Sequence, residues 1–175
     1  MRLNDPTSHA ARTTRQTSDR DRIAIGRLIN EMVLSLSEHF TNHRITVELD
    51  VQPLEVQANL PLIKNAFKGL MQNALESMTH GGELSVTLID SPHQWELEVA
   101  DTSTNRLVEA SIPKDPTDLK NQQIEQVAAS LNRRESLKEV HAAADAHGGH
   151  VQTWNCPSGG TANVLVIPKL HRNAA

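Results

Sequence analysis

The stretch NLPLIKNAFKGLMQNALESMTHGGELSVTLID, Asn59 to Asp90, reads as one helix, a glycine turn and one strand. Ile63, Ala66, Phe67, Leu70, Met71, Ala74, Leu75 and Met78 recur at the i, i+3, i+4 spacing of a core-facing helix. Asn59 can cap its first turn, and Pro61 falls where a missing N–H costs little. Gly81 and Gly82 end it, because glycine reaches the left-handed conformation that helix ends favour. Leu84, Val86 and Leu88 then alternate as one face of a strand. At 100° per residue Asn73 lies on the shoulder of the apolar face, with Gly69 and Glu76 one turn away on the same side. An amide placed there can reach a site at the edge of the core.

Downstream, a Ser91-Pro92-His93 loop leads to Trp95, Leu97 and Val99, a second alternating strand that pairs antiparallel with the first. Upstream, RITVELDV alternates as a half-buried strand, and Pro53 separates it from a short strand over Leu54 to Gln57. Before it, Asp21 to about Asn42 fits an amphipathic helix. Residues 102–120 carry two prolines and no period, which is a loop; 121–131 fits a helix, and Leu137, Val140 and Ala144 mark another that ends at His147-Gly148-Gly149. HVQTW and ANVLVIP close the chain as strands around a Pro/Gly turn at Cys156 to Gly160. Paired strands separated by helices predict an α/β two-layer sandwich, a mixed, largely antiparallel sheet with about three helices on one face. The domain spans 21–170, between polar tails at 1–20 and 171–175 that are too poor in apolar residues to order themselves.

The chain has 175 residues, enough for one domain with a substantial core. Seventeen basic residues are mixed with 21 acidic ones for a net charge of −4, which is no nucleic-acid footprint. A single cysteine excludes an internal disulfide and fits a reducing compartment. No apolar run approaches the roughly 18–20 residues of a membrane span, so a cytoplasmic protein is expected.

KGLMQNALESMTHGGELSV resembles the N-box segment of the histidine-kinase ATPase domain, of the GHKL superfamily. SEHFTNHRITVELDV is similar to that domain's entry helix and first strand, and LEVADTSTN falls where its strand enters the G1 box. LKEVHAAADAHGGHVQTW resembles the helix and strand after the G2 box, and GGTANVLVIP the closing Gly-Thr turn and last strand. The resemblance implies a Bergerat-type ATPase fold, ATP and Mg²⁺ as ligands, and two-component signalling as context. It places the Mg²⁺-binding asparagine on Asn73, the adenine-reading aspartate on Asp101 and the supporting threonine on Thr161. An amide oxygen suits Mg²⁺, which takes oxygen ligands near 2.1 Å and bridges protein to phosphate.

The sequence also departs from that pattern. Four residues before Asn73, where the family carries a polar side chain, stands Gly69, which supplies no general base. The G1 box reads Asp101-Thr102-Ser103-Thr104-Asn105 without its glycines, and the G2 box falls on Arg133-Arg134-Glu135-Ser136, where side chains stand in place of a bare phosphate cradle. About 20 residues precede the entry helix, too few for a phosphoacceptor hairpin. The expectation is a degenerate, pseudokinase-like domain: ATP binding weak or lost, no phosphoryl transfer by this chain alone. The alternatives are a nucleotide-independent scaffold, binding a sensor kinase, a response regulator or a second copy as a homodimer, and a serine kinase relative of the anti-sigma type. Apart from the resemblance, Asn73, Asp101 and Thr161 also read as a helix-boundary amide, a turn cap and a turn residue. His141, His147 and His150 read as solvated surface histidines, and Cys156 as a thiol with no base paired to it.

Overall fold

The computed structural model describes residues 20–102, 135–157 and 159–169. The expectations for the tails, the 103–134 segment with its helix at 121–131, and Arg133 and Arg134 lie outside these residues. The elements in order are β1 (Asp21–Ala24), α1 (Ile25–Leu34), α2 (Ser37–Asn42), β2 (Ile45–Val51), β3 (Glu55–Ala58), α3 (Leu60–Ser77), β4 (Gly82–Asp90) and β5 (Gln94–Asp101). They are followed by α4 (135–147), β6 (His150–Asn155) and β7 (Thr161–Pro168). β1 and β3 form a small antiparallel sheet, and the other five strands form one sheet in the order β2-β4-β5-β7-β6. Among the described strands only β2–β4 is parallel; the remaining pairs are antiparallel, as the α/β sandwich reading requires.

Alternation along the strands sets one face of the sheet against the helices. Leu84, Val86 and Leu88 of β4, with Trp95, Leu97 and Val99 of β5, join Ile63, Ala66, Phe67, Leu70 and Ala74 of α3 in one buried cluster. Asn59 caps α3, its side chain accepting from the Leu62 N–H at 3.1 Å. Gly81 closes the turn after α3 at φ 88°, where a β-carbon would crowd the carbonyl oxygens of His43 and Arg44.

The expected helix from Asp21 to Asn42 is three elements. Residues 21–24 pair with β3, Ile23 opposite Val56, because Ile23 and Ile25 satisfy a strand's alternation as well as a helix's period. The helical part then breaks at Ser35, whose hydroxyl donates to the Met32 carbonyl at 2.6 Å and competes with the helical ladder.

α4 lies antiparallel to α3. Val140, Ala143 and Ala144 are fully buried, and the two ends are fastened differently. At the α4 C-terminus His147 is buried, correcting its reading as a surface histidine. Its Nδ1–H donates to the Ala143 carbonyl at 2.6 Å, and its Nε2 accepts the Asn59 N–H at 3.0 Å. Arg20 donates to the neighbouring Ala146 carbonyl at 2.8 Å. Burial pushes the imidazole below its ordinary value, the hydrogen bond to Ala143 opposes this, and the charge of Arg20 adds to the depression. The unfolded chain therefore binds the extra proton first, and this stability is complete above the ordinary imidazole value of about 6.5 and lost as pH falls below it. Urea unfolding at pH 7.5 and 5.5 should show a lower midpoint at the acid pH, and His147→Gln, which keeps an acceptor but does not titrate, should reduce that difference.

Candidate functional site

Asp101 is the last residue of β5 and only 2% exposed. The register Ala100↔Ala162 sets it across from Thr161, the first residue of β7. The approach is close because Gly160, at φ 90°, has no side chain: a β-carbon there would collide with the Asp101 carbonyl oxygen. The strand exit is fixed as well. Thr102 N–H donates to the Glu83 carbonyl at 3.0 Å, and its hydroxyl accepts the Glu83 N–H at 2.8 Å. Asp101 and Thr161 are thus brought together at one end of the sheet.

Asn73 belongs to the helix layer, on α3, which packs on β5. It is 4% exposed, and its Oδ1 is buried without a hydrogen-bond partner among the described residues. A buried amide oxygen left open is costly, and it is the donor atom that a hard cation such as Mg²⁺ takes.

Two polar residues here escaped the sequence reading. Asn163 on β7 is 1% exposed, and Thr153 Oγ1 on β6 donates to its Oδ1 at 2.8 Å. The signal was available: in ANVLVIP, Asn163 has the same parity as Leu165 and Ile167, both of which are in the core.

On the α4 side the arrangement is different. Gly69 is buried, and a β-carbon there would meet the Ser136 carbonyl oxygen well inside contact distance and Val140 Cγ2 at 3.2 Å. The place of a side chain one turn before Asn73 is therefore taken by the backbone of α4. Beside this contact, a cleft of about 410 Å³ is lined by Lys68, Gln72, Glu76, Glu135 and Glu139 among others. Three carboxylates against one ammonium make it unfavourable to a polyphosphate. Cys156 lies toward Asp101, but burial, then the charges of Asp101 and Glu98, push its thiol up, so it stays protonated and unreactive.

No model of a known protein family matches the sequence, and no curated protein matches it. Solved structures do match. The nucleotide-free catalytic domain of the histidine kinase ThkA aligns at a TM-score of 0.62 and 24% identity, over 86% of this chain and 95% of that one. The Acinetobacter baumannii histidine kinase AdeS aligns at 0.62 and 18%, over 87% and 68%. A histidine kinase from Burkholderia phymatum aligns at 0.62 and 13%, over 89% and 74%. ThkA has also been solved in complex with the response regulator protein TrrA. The fold is that of the catalytic domains of these histidine kinases.

The Gly69 contact separates two opposing effects. Gly69→Ala gains about 1 kcal/mol of helix propensity, yet the new methyl meets a backbone atom that cannot rotate away. Overpacking of that kind costs about 1–3 kcal/mol. Equilibrium urea unfolding should show a net loss of stability for Gly69→Ala, and a larger one for Gly69→Val.

Proposed function

We propose that the chain is a histidine-kinase-type domain of two-component signalling that holds ATP weakly and does not transfer a phosphoryl group by itself. The observation that carries this reading is the split between the two halves of the site. Asp101 and Thr161 stand together at the sheet end, and the amide oxygen of Asn73 has no partner among the described residues. The phosphate side is altered: Gly69 offers no side chain, Ser136 fills the gap, and Glu76, Glu135 and Glu139 line the cleft beside it. Asn73 Oδ1 would be one ligand of Mg²⁺, whose charge, when the ion is bound, offsets the repulsion between phosphates and these carboxylates. With Gly69 in place of a polar side chain, nothing at that position positions or deprotonates an attacking group.

A scaffold role is supported by a different observation. A groove of about 740 Å³ between α1, α2 and α3 is lined by Met32, Leu36, Phe67, Met71 and Leu75. The complex of ThkA with TrrA favours a response regulator as the class of partner for such a domain; a sensor kinase or a second copy is the alternative. The cytoplasm is the compartment in which such partners meet this chain, and no described helix is long and apolar enough to cross a membrane.

Calorimetric titration with Mg-ATP tests the first reading. Binding no tighter than about 0.1 mM is expected, with no phosphate transferred to the chain from labelled ATP. Low-micromolar affinity abolished by Asn73→Ala would show an intact nucleotide site and overturn it.

A further inference from the structure

One face of α4 runs from an anchored arginine to an acidic cleft. Glu135, Glu139, Ala142 and Ala146 are spaced i, i+4, i+7 and i+11, so they fall in one stripe along the helix, and all four are exposed. The two alanines keep one end of the stripe low. Glu135 and Glu139 stand at the other end, where they line the cleft with Gln72 and Glu76 of α3. These carboxylates are unequally served. Lys138 lies 3.5 Å from Glu135, and Glu76 accepts from the Gln72 amide at 2.8 Å. Glu139 is in no ion pair among the described residues.

The described chain begins at the low end of this stripe, where Arg20 donates to the Ala146 carbonyl at 2.8 Å. In the sequence that leads to it, the acidic and basic residues between Asp5 and Asp19 are Arg12 and Arg15. At the helical rise, Glu139 is about 10 Å and Glu135 about 16 Å along α4 from Ala146. Extended chain covers up to about 17 Å in the five residues from Arg20 to Arg15, and up to about 27 Å in the eight to Arg12. Arg15 therefore reaches Glu139, and Arg12 reaches Glu135. An exposed ion pair contributes little by itself. Here the Arg20 anchor holds both arginines beside the carboxylates, which raises their effective concentration.

We propose that the exposed stripe of α4 is a docking track for residues 12–19 of this chain, with Arg15 set against Glu139 and Arg12 against Glu135. The pairing is electrostatic and needs no apolar residue from the tail. Docked, the two arginines bring positive charge to a cleft that sets three carboxylates against one ammonium. The contact needs no nucleotide.

The test uses the full 175-residue chain with a nitroxide on His141→Cys, an exposed position of α4 beside the stripe, in a Cys156→Ser background. Amide signals of residues 12–18 should lose intensity at an ionic strength of about 0.01 M, where the screening length is about 30 Å, and regain it at about 1 M, where it is about 3 Å. Glu135→Gln combined with Glu139→Gln should restore the signals of residues 12–15 at low salt. Both glutamates are exposed, so these variants should keep the fold, which circular dichroism verifies. Arg12→Glu with Arg15→Glu should restore the same signals from the tail side, and adding Glu135→Arg with Glu139→Arg should bring the loss back. Signals of residues 12–15 as strong at low salt as those of residues 2–5, or a loss that neither salt nor the glutamine variants change, overturns the docking. A loss that fades on dilution at constant ionic strength assigns the contact to the tail of a second copy and overturns it within one chain.

Discussion

The close approach of α4 to α3 at Gly69 is the constraint on which the helix layer depends. Two helices carrying ordinary side chains keep their axes 8–10 Å apart. Here a carbonyl oxygen of one helix sits where the β-carbon of the other would be, so glycine is required at the contact. The residues behind it are correspondingly small, Ala143 and Ala144 beside Val140. At the far end the pair is held by polarity: the His147 ring joins its own helix to the first turn of α3. Steric fit at one end and hydrogen bonding at the other give α4 a fixed pitch and register on α3.

This arrangement bears on the site through Asn73. One turn further along α3 the Asn73 amide is buried, and its oxygen has no partner among the described residues. Folding has therefore retained an exposed-type group in a buried position, and sequences violate local consistency in this way chiefly at functional positions. Asn163 and Asp101 are likewise buried, each polar on a face whose neighbouring members are Leu, Ile, Val and Trp.

Legibility from the sequence followed the physics of each element. α3 was readable to the residue at its N-terminus because Asn59 and Pro61 are local signals with local causes. β4, β5 and β7 were readable because half-buried strands alternate. β1 was not: four residues bearing Ile23 and followed by Ile25 satisfy both periods, and the partner strand lies about thirty residues away. The break at Ser35 carries no glycine or proline and depends on a hydroxyl bonding its own backbone. The parallel pairing of β2 with β4 is a property of topology and leaves no mark on either strand. At the candidate site, Asn73, Asp101 and Thr161 were named by resemblance to a motif, whereas the burial of Asn163 required parity along β7 to be compared with its neighbours. Gly69 was visible as an absence of chemistry; only the structure shows what fills the space.

The parallel ladder between β2 and β4 has a consequence for how this chain reaches its structure. Ile45 opposite Gly82 is a contact across 37 residues, with β3 and α3 threaded between them, whereas β4 and β5 meet across a three-residue loop. Local pairings form before distant ones because less chain entropy is lost in closing them. The β4–β5 hairpin is thus the natural nucleus, and β2, with the small β1–β3 sheet, adds late. Until β2 arrives, the outer edge of β4 is a free strand edge, the kind of edge through which chains pair with one another.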